Sequence, residues 1–229
     1  MEEEGIGEFV KRDKVTDSFE EQVNKFLNSP SNKSEYSSTF NPKNITECPR
    51  RIIYRSTAVK PNKPKTNRDE IDLSRFMLVG TSMKILNSGL FVSDCNYNLV
   101  GKLDYVIQIC EESVATKIYV VDDETFRSIL KKGAIRKNVV EVMVYMWLVE
   151  LNNGLMVYVN KNTNKITSFH IKPYKPIIKS VITKCKNLLE HEFKGTVPDK
   201  PYKTRMSNEC RQCEFEIECW EKQGEKKNA

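Results

Sequence analysis

The sequence predicts one α/β domain whose two ends are held together through cysteines. Three observations carry this. Between residues 90 and 193, strand-like apolar runs alternate with helical periods. One run, Lys117-Ile118-Tyr119-Val120-Val121-Asp122, is nearly continuous in apolar character, the pattern of a central strand buried on both faces. In the tail, Cys210, Cys213 and Cys219 stand at x2 and x5 spacing, one ligand short of a four-thiolate site. Distant Cys48, in Glu47-Cys48-Pro49-Arg50-Arg51, supplies the fourth.

A length of 229 residues suits a single α/β domain with extensions. Residues 1–38 read as an N-terminal extension with one helix, and 39–229 as one domain that includes the cysteine segment 210–219. The hydrophobic fraction is only 39%, but it is gathered into runs that can build a core. A net charge of +6 and a pI near 8.8 suit an anionic partner such as nucleic acid, and equally a lysine-rich solvated surface. The chain opens on Met1-Glu2-Glu3-Glu4-Gly5, with no apolar leader. No stretch approaches the ~18 apolar residues of a membrane span. The expectation is a cytoplasmic protein, with no membrane partner, in a reducing compartment where clustered thiols hold metal more often than they form disulfides.

The elements follow in order. Residues 1–14 are polar and expected to fray. Phe19, Val23, Phe26 and Leu27 recur at helical spacing, and Ser18 with Glu21 has the form of a capping box. A polar loop follows to Ser38. Pro42 and Pro49 each open a short helix at its first turn, the second placing Cys48 at a helix N-terminus that favours a thiolate. Residues 57–70 read as a basic linker, and 71–87 as a helix through Leu73, Phe76, Met77 and Ile85. Leu90-Phe91-Val92 is a short apolar run. Leu99 to Ile109 reads as a strand, joined to the run from Lys117 through a polar turn around Glu111 to Ser113.

Residues 138–151 form a broad apolar helix ended by Asn152-Asn153-Gly154. Residues 155–159 and 166–171 form a hairpin around Asn160 to Asn164. Residues 175–193 form an amphipathic helix through Ile178, Ile182, Cys185, Leu188 and Leu189, and residues 194–209 a loop leading to the cysteines. Cys95, Cys110 and Cys185 fall within apolar elements and read as core residues.

Two groups of residues carry chemistry. Zinc sites with four thiolates usually use two C-x2–4-C pairs, whereas iron–sulfur clusters tolerate one lone cysteine with a C-x2-C-x5-C run. The spacing therefore favours a 4Fe–4S cluster on Cys48, Cys210, Cys213 and Cys219, with zinc, or reduced cysteines that hold no metal, as the alternatives. The second group is acidic. Asp104 sits inside a strand, and Asp122-Asp123-Glu124 ends the next. A carboxylate in an apolar strand is costly unless it is paired or binds a cation. If the strands are neighbours, Asp104 and Asp122 would share one Mg²⁺ or Mn²⁺, able to activate water at a phosphodiester.

From about Phe40 to Trp220 the chain resembles the RecB-like PD-(D/E)XK nucleases of the iron–sulfur type, which include CRISPR-associated exonucleases, the AddB nuclease domain and phage-encoded members. The resemblance rests on the cysteine set and on Phe40-Asn41-Pro42 leading into Cys48-Pro49-Arg50-Arg51 and Tyr54. It rests also on Gly101-Lys102-Leu103-Asp104, similar to the family's Gly-x-x-Asp, and on Val121-Asp122-Asp123-Glu124-Thr125 where the family has Val-Asp-Tyr-Lys-Thr. It implies a mixed central sheet flanked by helices, restriction-endonuclease-like, with metal on Asp104 and Asp122 and a structural cluster on the four cysteines. It further implies a metal-dependent DNA nuclease, an exonuclease acting on DNA ends or single strands, with recombination or replication proteins as partners.

Three positions depart from the family. Its lysine aligns with Glu124. The glutamine of its helical Gln-x-x-x-Tyr aligns with Glu141, four before Tyr145. Its upstream histidine would fall near Gly80-Thr81-Ser82-Met83, whereas this chain has only His170 and His191. Glu124 would replace the lysine as some restriction endonucleases allow, or Lys117 or Lys102 would supply the amine, Lys117 only on an irregular strand. The alternative function is a nuclease-fold DNA-binding or assembly subunit that keeps the cluster and has lost cleavage.

Overall fold

A computed structural model describes residues 10–11, 40–57, 59 and 84–221. The expected helix at 15–27, its capping box, the polar loop to Ser38 and most of the 57–70 linker lie outside the described residues. So does the helix expected at 71–87, except its end. Lys84–Asn87 belong instead to a strand.

Among the described residues, six strands form one mixed sheet in the order β1-β6-β5-β4-β3-β2. They are β1 (Val10–Lys11), β2 (Lys84–Asp94), β3 (Leu99–Ile109), β4 (Glu112–Val121), β5 (Gly154–Asn160) and β6 (Ile166–Ile171). All neighbours are antiparallel except β4 and β5. Parallel neighbours need a crossover. It is supplied by two helices, α2 (Asp123–Lys132) and α3 (Arg136–Leu148). The remaining helices among the described residues are α1 (Pro49–Ser56), α4 (Lys175–Phe193) and two short ones, α5 (Asn208–Arg211) and α6 (Glu216–Trp220).

Several elements match their sequence signals. Cys48 is the N-cap of α1 and Pro49 its first residue. Pro42 opens a single 3-10 turn, Pro42–Asn44, capped by the Asn41 side chain. The strand at 99–109, the hairpin at 154–171 and the helix at 175–193 stand where periodicity put them. α3 is buried from Asn138 to Met146, all round its circumference, which marks an inner helix. Its N-terminus lacks a side-chain cap of its own. The buried Tyr158 hydroxyl serves instead, accepting from the Ile135 amide at 3.0 Å and Asn138 Nδ2 at 3.1 Å.

Other elements differ. α2 was not expected, although its signals are complete: Asp122 as N-cap, two acids in the first turn, Lys131 and Lys132 in the last, and Gly133 beyond at φ 85°. Val10–Lys11, expected to fray, pair with β6 through backbone bonds that leave no apolar pattern to read. β4 is central in the sheet, but only Val114 to Thr116 are buried. The strands buried along their whole length are β5 and β6. Cys185 is buried as expected, whereas Cys95 and Cys110 are exposed because they sit in turns.

The register of β3 against β4 positions the site. Cys110 and Glu111 both have positive φ, 47° and 67°, the signature of a two-residue hairpin turn. Pairing then runs outward from Ile109↔Glu112 to Tyr105↔Thr116, where it stops. Beyond that point β3 and β4 no longer pair with each other: β3 continues along β2, with a parallel bridge from Leu99 to Phe40 at its far end, and β4 continues along β5. The inward alternation of β3 also slips there. Leu103 and Val106 join the core under α3, while Tyr105 and Ile107 join the core on the other face. The sheet splits at Asp104.

Candidate active site

Asp104 and Lys117 occupy the first positions past the last β3–β4 pair. Lys117 Nζ donates to Asp104 Oδ1 at 2.8 Å and to the Lys102 carbonyl at 3.3 Å. Asp104 Oδ2 accepts from the Ile118 amide at 2.8 Å, so a side chain takes over where the backbone ladder ends. That satisfies a donor that would otherwise be stranded by the split.

Strand alternation puts Ala115, Lys117 and Tyr119 on the face that meets α3. From α3 comes Glu141, only 3% exposed. Its Oε2 accepts from the Tyr119 hydroxyl at 3.0 Å. Its Oε1 lies 3.9 Å from Lys117 Nζ and accepts no hydrogen bond. Burial pushes the Glu141 carboxyl above the usual carboxylate range, against the opposing pull of Lys117 and the Tyr119 hydroxyl. One turn later, the Tyr145 ring lies under the Lys117 ammonium, 5.2 Å from its centroid. Burial, with Glu141 nearby, pushes both Tyr119 and Tyr145 upward and keeps them neutral phenols.

Gly101 lets these groups converge. A Cβ there would stand 2.6 Å from Tyr145 Oη and 2.8 Å from Pro42 Cδ. The Gly-x-x-Asp spacing is therefore a packing requirement: the glycine admits α3 and the Pro42 turn against β3, three residues before the carboxylate.

The acids after β4 lie elsewhere. Asp122 is five residues beyond Lys117, about 16 Å along an extended strand. It is exposed and caps α2, its Oδ1 accepting from the Thr125 amide at 2.8 Å. That bond holds it below the usual carboxylate range. Asp123 accepts from Asn160 and Asn162, and Glu124 lies exposed in the first turn of α2. Asp104 and Asp122 are thus not brought together, and the shared ion expected from the sequence has no common point between them. Lys117 needs no irregular strand to reach Asp104, since it faces it across the split. Two residues before it, on the same face of β4, is the fully buried Ala115.

The sequence reading missed Tyr119 and the weight of Lys117. The signal was the turn. A chain folding back about Cys110-Glu111 places residue 117 opposite 104, whereas a turn centred on 111–113 shifts the partner toward the end of β4.

Four of the cysteines lie apart from this place and near one another. Cys48 lies close enough to Cys213 and Cys219 to influence their ionisation, as does Cys210 to Cys219. Arg51 faces Cys213, Arg50 and Lys200 face Cys219, and Lys184 faces Cys48. Burial pushes the Cys213 and Cys219 thiols up. Beside Cys219, Trp220 Nε1 is buried without a hydrogen-bond acceptor, and Lys200 lies 4.3 Å over its ring. Among the described residues, no three His, Cys, Asp or Glu side chains converge tightly enough to share a single metal ion.

The ends of the domain are also joined without metal. Glu214 accepts from Arg51 Nε at 2.7 Å and Arg55 Nε at 2.8 Å, and a further Arg55 nitrogen contacts it. Arg55 reaches Glu47 at 2.6 Å, and Tyr54 packs on Phe215 at 5.5 Å. Arg51 and Arg55 are committed to these carboxylates, and Arg50 is buried. Lys131, Lys132, Arg136 and Lys137 remain exposed around the α2–α3 junction.

No protein-family model matches the chain, and no curated protein matches its sequence. Solved structures do match its fold. An alkaline exonuclease, LHK-Exo from Laribacter hongkongensis, superposes with a TM-score of 0.52 at 10% identity, covering 77% of this chain and 93% of that one. The same exonuclease in complex with dAMP gives a TM-score of 0.53 at 9% identity, over 69% and 89% of the two chains. At such identity the likeness is one of fold: α/β, a mixed sheet flanked by helices, restriction-endonuclease-like. Among the described residues no helix is long and apolar enough to cross a membrane.

Proposed function

We propose that this chain is a metal-dependent deoxyribonuclease, an exonuclease acting on DNA ends or single strands in recombination, repair or phage DNA metabolism. The observation that carries the reading is Asp104 facing Lys117 across the sheet split, on a fold shared with an alkaline exonuclease. Asp104 is partly exposed, so its carboxylate is open to a hard cation. A bound Mg²⁺ or Mn²⁺ supplies activated water and charge stabilisation at a phosphodiester. Lys117 presents its ammonium to the water or to a phosphate oxygen, steadied by the Tyr145 ring. Exposed Lys131, Lys132, Arg136 and Lys137 hold the DNA backbone without reading its sequence.

The cysteine centre, in the same reading, carries a 4Fe–4S cluster on Cys48, Cys210, Cys213 and Cys219. Support comes from four thiols gathered from both ends of the chain, a surrounding ring of cations, and a buried indole N–H in need of an acceptor. Clusters of this kind accept hydrogen bonds at their sulfurs. The protein works in the cytoplasm, with recombination or replication proteins as partners.

Ala115 favours a second reading, a DNA-binding or assembly subunit without cleavage, because β4 offers no acid beside Lys117. End-labelled single- and double-stranded DNA with Mg²⁺ or Mn²⁺ separates the two. The nuclease reading expects digestion that falls by about 10²-fold or more in both Asp104→Ala and Lys117→Ala. Binding of intact DNA with no digestion would establish the second reading, and digestion that survives Asp104→Ala would remove this site from it.

A further inference from the structure

A divalent cation of the magnesium type is held by one or two carboxylates, completed by waters and substrate phosphates. β3 supplies one carboxylate, Asp104. β4 supplies none, because its positions facing α3 beside Asp104 are Ala115, Lys117 and Tyr119. Among the described residues, one other acid reaches this place, and it comes from a helix. Glu141 is 3% exposed, and its Oε1 accepts no hydrogen bond while sitting 3.9 Å from the ammonium that Asp104 also binds.

A buried carboxylate oxygen left without a donor is expensive. Lys117 satisfies Asp104 at 2.8 Å but does not close on Glu141. The two acids therefore converge on one cation position, with the lysine nitrogen drawn to the Asp104 side of it. The Tyr119 hydroxyl fixes the other Glu141 oxygen at 3.0 Å, leaving Oε1 as the oxygen on the lysine side.

We infer that Asp104 and Glu141 are the two protein ligands of one divalent cation, the helix acid standing in for the strand acid that Ala115 lacks, and that the Lys117 ammonium competes for the same position. This deepens the nuclease reading and rests on it only for the ion's purpose. Binding of the cation displaces the ammonium from Asp104 toward solvent and substrate, so one event loads the ion and frees the lysine.

Mn²⁺ binding to the full chain without DNA, followed by the electron paramagnetic resonance of free Mn²⁺, tests this apart from cleavage. One site per chain is expected. Glu141→Gln, which keeps the shape and the Tyr119 contact, and Asp104→Asn should each weaken it at least about tenfold. Lys117→Met, which removes the competitor and leaves both acids, should tighten it. Unchanged Mn²⁺ affinity in Glu141→Gln, or weaker binding in Lys117→Met, would overturn the assignment. Should DNA digestion persist while Glu141→Gln binds Mn²⁺ normally, the nuclease reading stands and this inference falls. Binding that follows the expected pattern with no digestion does the reverse.

Discussion

At the scale of single residues, the site depends on one missing side chain. Gly101 is where α3 and the Pro42 turn press on β3, with Tyr145 Oη and Pro42 Cδ inside the space a Cβ needs. Gly101→Ala should therefore cost about 1–3 kcal/mol, since part of the neighbourhood is a proline ring that cannot swing away. In a chain of this size that corresponds to a melting temperature lower by roughly 2–12 °C, measured by thermal unfolding. No loss would mean that Tyr145 moves freely and does not brace Lys117. Of the residues singled out in the sequence, the structure gathers Asp104, Glu141 and Tyr145 in one place around Lys117 and sets Asp122 apart from them. An aspartate after a strand has two meanings, cation ligand and helix N-cap, and the amide of Thr125 resolves it as the cap. Nothing local distinguishes them without the helix that follows.

At the scale of elements, α1 and the segment after α5 meet through charge as much as through apolar packing. Glu214, almost wholly buried, answers two guanidiniums that remain about a quarter exposed. Burial works against its charge, but the bonds from Arg51 and then Arg55 outweigh it and hold its pKa below the usual range. A carboxyl depressed in this way adds stability above its unfolded pKa, and that stability drains away as pH falls through the folded value. The junction should accordingly loosen under acid conditions, below the ordinary glutamate range. Glu214→Ala should lose about 2–4 kcal/mol at neutral pH, and its melting temperature should fall less than the parent's between pH 6 and pH 3. Equal acid sensitivity in both would show that other groups govern it.

Element positions were legible where periodicity was long, as in β3 and α4. They were lost where capping signals were taken for chemistry, as in α2. The split between β3 and β4 was invisible for a different reason. A one-residue difference in where a hairpin turns moves every cross-strand partner, and turn position is weakly encoded when the turn residues are Cys110 and Glu111 and not glycine or asparagine.

At the scale of the molecule, the chain carries an Asp104–Lys117 pair in the sheet and, apart from it, neighbouring cysteines from both ends of the chain, the proposed place of a cluster. The thiol centre has a direct assay. Protein purified without oxygen should be brown, with about four irons per chain, and Cys213→Ser should lose most of the colour and iron. A colourless preparation containing zinc would replace the cluster with the alternative metal.

The separation along the chain also sets an order of assembly. Asp104, Lys117, Glu141 and Tyr145 all lie between residues 104 and 145, on neighbouring hairpin strands and the crossover that follows. Glu214 meets Arg51 across a sequence separation of 163. Contacts between residues so far apart carry the larger loop-closure entropy and form late. During synthesis, when domains fold as the chain emerges, these four side chains can be in register before the tail carrying Glu214 and three of the thiols has left the ribosome. The last step of folding is then the delivery of the tail to α1, and the first step of unfolding is its release.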